Sequence, residues 1–304
     1  MTKLSREVDM IDYADRFMQE IGFEDEARIA LLGDLKKIYA HSAAKAIFDK
    51  CIAEYNKTAD LDYPSIRAKA REAGEMLGVH KYSAELLLFI CFSKRLRERY
   101  AEKGVDDKIW FDSMCDLKWK LWECKAVKQV YGSFVAAWFE GWFRMTRFAL
   151  GRLQFEIEYF EGEYQLGTMV LTPKTKVLNV HIPRTLTPLD KQSREDSYER
   201  AKEFFGEEFP DGKFVFVCHS WLLFPPAENI LPSHSNIRGF MADYTIVASE
   251  ENGEGEHPDM WRLFDMDYTG DVNDYPEDSS LRAAYKKFLS DGNRTGWGYG
   301  VFIA

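Results

Sequence analysis

The chain is poor in the residues that hold metals and staple small folds. Six histidines and five cysteines are scattered through 304 residues. The cysteines, at 51, 91, 115, 124 and 218, form no C-x-x-C pair and no zinc-type cysteine–histidine spacing. An odd, unpaired set suits a reducing compartment. His181, His219, His234 and His257 have no partner histidine one helical turn away, so a metal site would have to be gathered from distant stretches. Long apolar runs are missing too: LLLFICF at 86–92 is the most apolar, and it is short and flanked by charge. The N-terminus, MTKLSREVDMIDYADRF, has no signal-peptide core. Positive charge is in deficit, with a formal net charge of -10. A broad nucleic-acid or anionic-membrane footprint is thereby disfavoured, leaving room for a small basic pocket. These absences predict a cytoplasmic protein that carries no metal.

What is present is a core in two textures. Hydrophobic residues make up 46% and aromatic residues 15%, on a length that suits two domains. Up to about residue 145 the apolar spacing is helical. ARIALLGDLKKIYA places Ile29, Leu32, Leu35 and Tyr39 on one stripe; HSAAKAIFDKCIAEYN places Ala44, Ile47, Cys51 and Tyr55 together. Further helices are predicted from Pro64 to Gly78, from Tyr82 to Glu102 and from Asp106 to Val130. After Gly151 the pattern alternates. RLQFEIEYF puts Leu153, Phe155, Ile157 and Tyr159 opposite Gln154, Glu156 and Glu158. EYQLGTMVL, KVLNVHI, KFVFVC, YTIVAS, MWRLFDM and TGWGYGVFIA read as further short strands, interrupted by helices at SREDSYERAKEFFGEEF and SSLRAAYKKFL. The expectation is an α+β fold: an all-helical first half, then a mixed sheet flanked by helices.

Three stretches bear on chemistry. A strand ends at His181, a loop with Pro183 and Pro188 follows, and a helix is predicted to open at Ser193, with Asp196 completing an S-x-x-D pattern. Helix starts favour anions, and Arg184, Lys191 and Arg194 add charge of the right sign, although an ordinary capped helix has the same look. In VCHSWLLFPP, Ser220 lacks the small neighbours of a serine-hydrolase elbow, and His219, next to it on an extended strand, points to the other face. Cys218 on a buried strand is an inert thiol. In AENILPSHSNIRGFMADY, Asn236 and Arg238 either orient a polar substrate or simply follow a serine helix cap at Ser233 or Ser235.

Taken in order, GRLQFE, HIP, SWLLFPP, LPSHSNIRGF and GWGYGVF resemble a family of bacterial acyltransferases. That family joins a helical N-acyltransferase N-terminal domain, here 1–147, to a GNAT-like C-terminal domain, here 148–304. The resemblance implies transfer of an acyl group from acyl-CoA or acetyl-CoA to an amine of an acceptor; a non-catalytic ligand- or partner-binding protein with a degenerate cleft is the alternative. It places HIP on the strand before the pyrophosphate-binding helix and KFVFVC on the neighbour that splays from it. His181 is then the first candidate base and Glu156, with Glu158, the alternative. His219 and Ser220 line the cleft, Asn236 and Arg238 face the substrate, and Tyr268 or Tyr244 protonates the leaving thiolate. Where the usual loop carries Q/R-x-x-G-x-G/A, RTLTPLDKQSRED has no glycine, so the anion falls to Arg184, Lys191, Arg194 and the helix start at Ser193. The helical half is expected to supply either an acceptor pocket or a homo-oligomer contact.

Overall fold

The computed structural model describes residues 3–304, with side chains from Met10 onward. The chain divides into two compact units after Phe148. In the first, α1 (Lys3–Glu20), α2 (Asp25–Ala40), α3 (Ser42–Lys57), α4 (Tyr63–Glu75), α5 (Lys81–Glu102), α6 (Asp107–Lys128) and the short α7 (Glu140–Arg144) follow one another. Helix α5 is the hub and packs against α1–α4 and α6. The LLLFICF run makes it so, because Ser83 to Ser93 are buried without a break. Around it, Tyr55 stacks on Phe92 at 4.4 Å and Phe143 lies 4.9 Å from Phe89. Two of the scarce histidines cap helices here: His41 Nδ1 accepts from the Ala44 N–H and His80 Nδ1 from the Tyr82 N–H.

The apolar stripe of α2 differs from the sequence reading. Ala27, Leu31, Leu35 and Ile38 face the core, while Ile29 is 68% exposed. Similarly, Phe48 rather than Ile47 is buried beside Ala44, Cys51 and Tyr55 on α3. In both helices the i, i+4 and i+7 positions win over the stripe one or two residues away.

The second unit is a sheet. Its elements are β1 (Arg147–Leu150), within which the units divide, β2 (Leu153–Tyr159), β3 (Tyr164–Leu166), β4 (Met169–Leu171), β5 (Lys176–His181), α8 (Lys191–Phe204), β6 (Val215–Ser220), α9 (Asn236–Met241), β7 (Thr245–Glu251), α10 (Met260–Phe264), α11 (Ser280–Ser290) and β8 (Gly296–Ile303). Six strands form one sheet in the order β1-β2-β5-β6-β8-β7, and β3 pairs with β4 in a separate hairpin. Only β5 and β6 run parallel among the registered pairs, joined by the α8 crossover. MWRLFDM, expected as a strand, is α10: Met260, Leu263 and Phe264 are buried at i, i+3 and i+4, a helical spacing.

The two faces of this sheet carry different residues. Phe155, Phe216 and Phe302 meet Tyr198 of α8. On the other face Val177, Val215, Val217, Tyr299 and Val301 form a core with Phe160 and Leu171, against which Tyr164, Leu166 and Met169 of the hairpin pack. Strand alternation puts Asn179, His181 and His219 on this second face, and antiparallel pairing adds Gln154, Glu156 and Glu158 from β2.

Candidate active site

Strands β5 and β6 share a ladder of only two residue pairs, Leu178 with Phe216 and Asn179 with Val217. Both strands run on beyond it, β5 to His181 and β6 to Ser220. Their C-terminal ends are therefore unpaired with each other, while β5 stays registered on β2 and β6 on β8 to the end. Two parallel strands that part at their C-termini leave unpaired backbone groups facing a gap, which is what an extended ligand with amide groups needs.

At the β5 side of that mouth, His181 Nε2 lies 2.5 Å from Glu156 Oε1. The two candidates that the sequence offered as alternatives are thus one pair. Their side chains are 19% and 13% exposed, so the pair is reachable but partly shielded from water. On the β6 side, the His219 ring lies tilted, 4.3 Å from Trp297 and 6.4 Å from Tyr299 on the same sheet face. Ser220 points the other way, and its hydroxyl accepts the Leu222 N–H, capping a short 3₁₀ turn over Trp221–Leu223. Cys218 is fully buried, and burial pushes its thiol well above the ordinary range. Neither Ser220 nor Cys218 is set up as a nucleophile.

The expected anion site is rearranged. Helix α8 opens at Lys191 instead of Ser193, because Asp190 is the cap and accepts the Ser193 N–H at 2.8 Å. The Ser193 hydroxyl donates to the Pro188 and Asp190 carbonyls. Arg194, 3% exposed, is engaged through its guanidinium with both oxygens of Asp243 and with the Leu189 carbonyl. It fastens α8 to the end of α9. Lys191 is exposed, 3.6 Å from Glu195. Arg184 pairs with Asp265, which also takes Arg282. Burial works to raise the Asp265 carboxyl, but the two arginines win and hold it below the usual range.

Sequence reading missed Arg152, which shapes the glycine-free loop. Its Nε donates to the Thr187 carbonyl at 2.8 Å and its Nη1 to the Pro183 carbonyl at 3.0 Å. Its own backbone N–H donates to Ser197 Oγ on α8 at 2.7 Å. Burial pushes the guanidinium down to about 10, so it is still cationic at neutral pH. The signal was present in GRLQFE, but that phrase reads most readily as alternating strand.

Further along, Asn236 is the first residue of α9, and Ser235 is the cap, accepting the Ile237 N–H. Arg238 bonds Glu228 and the Leu231 carbonyl. Tyr268 stacks flat on His257 at 4.0 Å, and His257 Nδ1 is 3.1 Å from the Tyr275 hydroxyl. This cluster lies in the segment between β7 and α11. Tyr244 is buried against Tyr198 and Phe302 on the α8 face, where desolvation raises its hydroxyl far above 10. Among the described residues, no three His, Cys, Asp or Glu side chains are gathered as a metal site.

A splayed parallel pair between a strand-end histidine and the crossover helix is the frame of a GNAT-type fold. The GNAT-like C-terminal domain family matches residues 148–302, and the N-acyltransferase N-terminal domain family matches residues 12–145. The chain belongs to the acyltransferase family that these two domains define. Solved structures share the fold across both units. An acyltransferase in complex with decanoyl-CoA and teicoplanin is 20% identical, with a TM-score of 0.72 over 95% of this chain and 87% of that one. A mutant acyltransferase in complex with octanoyl-CoA is 19% identical at the same TM-score and coverage. A third, in complex with CoA and 10C-teicoplanin, is 20% identical with a TM-score of 0.72 over 95% and 86%. At these identities the likeness is one of fold. No curated protein matches the chain.

Proposed function

We propose that the protein transfers an acyl group from acyl-CoA to an amine on a small-molecule acceptor, with the thioester lying in the mouth between β5 and β6. The observation that carries the reading is the Glu156–His181 pair at the edge of that mouth. An imidazole oriented by a carboxylate at the edge of a cleft can take the proton that amine acylation releases. In this reading Glu156 accepts from Nε2 and orients the ring, and Nδ1 takes the proton. The acceptor's neutral amine attacks the thioester carbon, and its proton passes to His181. The C–S bond then breaks, and the imidazolium returns the proton to the CoA thiolate, so no tyrosine acid is required. Arg152 and Lys191 supply positive charge beside the loop that would meet the pyrophosphate. Fold relatives bound to decanoyl-CoA and octanoyl-CoA support an acyl-CoA donor, and those bound to teicoplanin support a small-molecule acceptor. Unpaired cysteines suit a cytoplasmic site of action. Among the described residues no helix is long and apolar enough to cross a membrane.

Titration calorimetry with decanoyl-CoA and acetyl-CoA tests the donor. Saturable binding of at least one is expected for the unaltered protein and for His181→Ala alike, since the imidazole acts on the amine. Absence of heat with both donors contradicts the proposal.

A further inference from the structure

Asn179 has no part in the reaction as described so far, yet it stands at its centre. It occupies the last rung that β5 shares with β6, opposite Val217, and lies directly across from Glu156 on β2. Its side chain shares a sheet face with Val177 and His181. The residue is 9% exposed, but among the described residues none hydrogen-bonds its amide. The reason is local: the carboxylate facing it, Glu156, turns along the strand to His181. Nor is the amide sealed away, for it is not one of the partnerless groups cut off from solvent, such as the indole nitrogens of Trp110 and Trp122. An amide that keeps contact with solvent at the last shared rung can take its partner from whatever enters the gap beyond it.

We infer that Asn179 is a catalytic residue whose Nδ2–H donates to the carbonyl oxygen of the bound thioester. This rests on the acyl-CoA reading of the site. Side chains two residues apart on one strand face are separated by about 7 Å. A carbonyl oxygen held by Asn179 and an attacking nitrogen beside His181 fit that span, because reacting atoms approach to about 3–3.5 Å. As the amine lone pair forms the C–N bond, the carbonyl π pair moves onto oxygen, and the amide holds the charge there. When the pair returns, the C–S bond breaks and CoA leaves as thiolate. An amide suits the task because it stays neutral at every working pH, donates, and does not compete with His181 for the proton.

Isotope-edited infrared spectroscopy reads this bond directly and needs no acceptor. Decanoyl-CoA labelled at its thioester carbonyl is bound to the unaltered protein and to Asn179→Leu. The carbonyl stretch of the bound donor is expected at higher wavenumber in the variant, and slow release of CoA to water is expected to fall by about 10²-fold or more. An unmoved band in a variant that still binds overturns the inference. A variant that loses donor affinity while the residual bound band stays in place overturns it as well, since Asn179 is then only a binding group. Should the leucine variant fail to fold, Asn179→Ala is read in the same way. Failure of the unaltered protein to bind decanoyl-CoA is a separate result that removes the donor reading, and this inference with it.

Discussion

At the scale of single residues, the site depends on one short contact between strands. Glu156 and His181 are not directly opposite in the register; Glu156 faces Asn179 and reaches diagonally to the histidine. Replacing Glu156 with Gln keeps the shape but removes the charge that fixes the imidazole tautomer and steadies its protonated form. CoA release from decanoyl-CoA, followed with a panel of amines, should fall by about 10²–10⁴-fold in Glu156→Gln and in His181→Ala. Donor binding should be unchanged in both, and the double variant should be little worse than either, because the two act as a unit. A double loss equal to the product of the single ones would show that they act apart. The strand-end position of His181 was legible in the sequence, ahead of its proline loop. Its partnership with Glu156 was not, since pairing depends on a register that alternation alone does not fix. The partners of the basic side chains were hidden for a related reason. Arg184 and Arg194 look available in a string of letters, but Asp265 and Asp243, distant in sequence, take them.

Elements explain what the family-like phrases do physically. In GWGYG, alternate glycines 296, 298 and 300 lie on one face of β8, beneath the turn that ends β6. A Cβ on Gly298 would come within 2.1 Å of the Leu223 carbonyl oxygen, and one on Gly296 within 2.2 Å of the Glu250 carbonyl oxygen. Backbone, not a movable side chain, stands in the way. SWLLFPP can therefore fold back over β8 only if that strand has no side chains there, and the fold-back is what ends β6 at Ser220. Gly298→Ala should push the 221–224 turn away, lower the melting temperature by several degrees, and weaken donor binding by disturbing the β6 side of the mouth. A variant with unaltered melting and binding would show that the turn is not what sets the strand end. Strand and helix existence was largely legible, from alternation in RLQFEIEYF to the helical spacing of SSLRAAYKKFL. The exception, MWRLFDM, is five helical residues long, too short for its period to be distinguished from alternation. The helix start at Lys191 was also missed, because Asp190 and Ser193 are both good caps and only the fold chooses between them.

On the scale of the whole molecule, the proposed function asks a chain of net charge -10 to hold a polyanionic donor. That is workable only if recognition is local, through backbone left bare where β5 and β6 part and a few cations such as Arg152 beside the α8 loop. The change of texture near residue 150 lies close to where the two compact units divide, because helical and alternating apolar periods are both long-range signals. Function was not legible from composition, which excluded more than it indicated; the phrases GRLQFE, HIP, SWLLFPP, LPSHSNIRGF and GWGYGVF carried it, and the family match agrees. A crystal structure of the intact protein grown with decanoyl-CoA tests the account most directly. It should show the pantetheine arm between Val180–His181 and Cys218–Ser220, with the thioester carbonyl in hydrogen-bond reach of Asn179 and the phosphates near the loop held by Arg152. Decanoyl-CoA bound elsewhere, with the β5–β6 mouth filled by protein side chains, would contradict it.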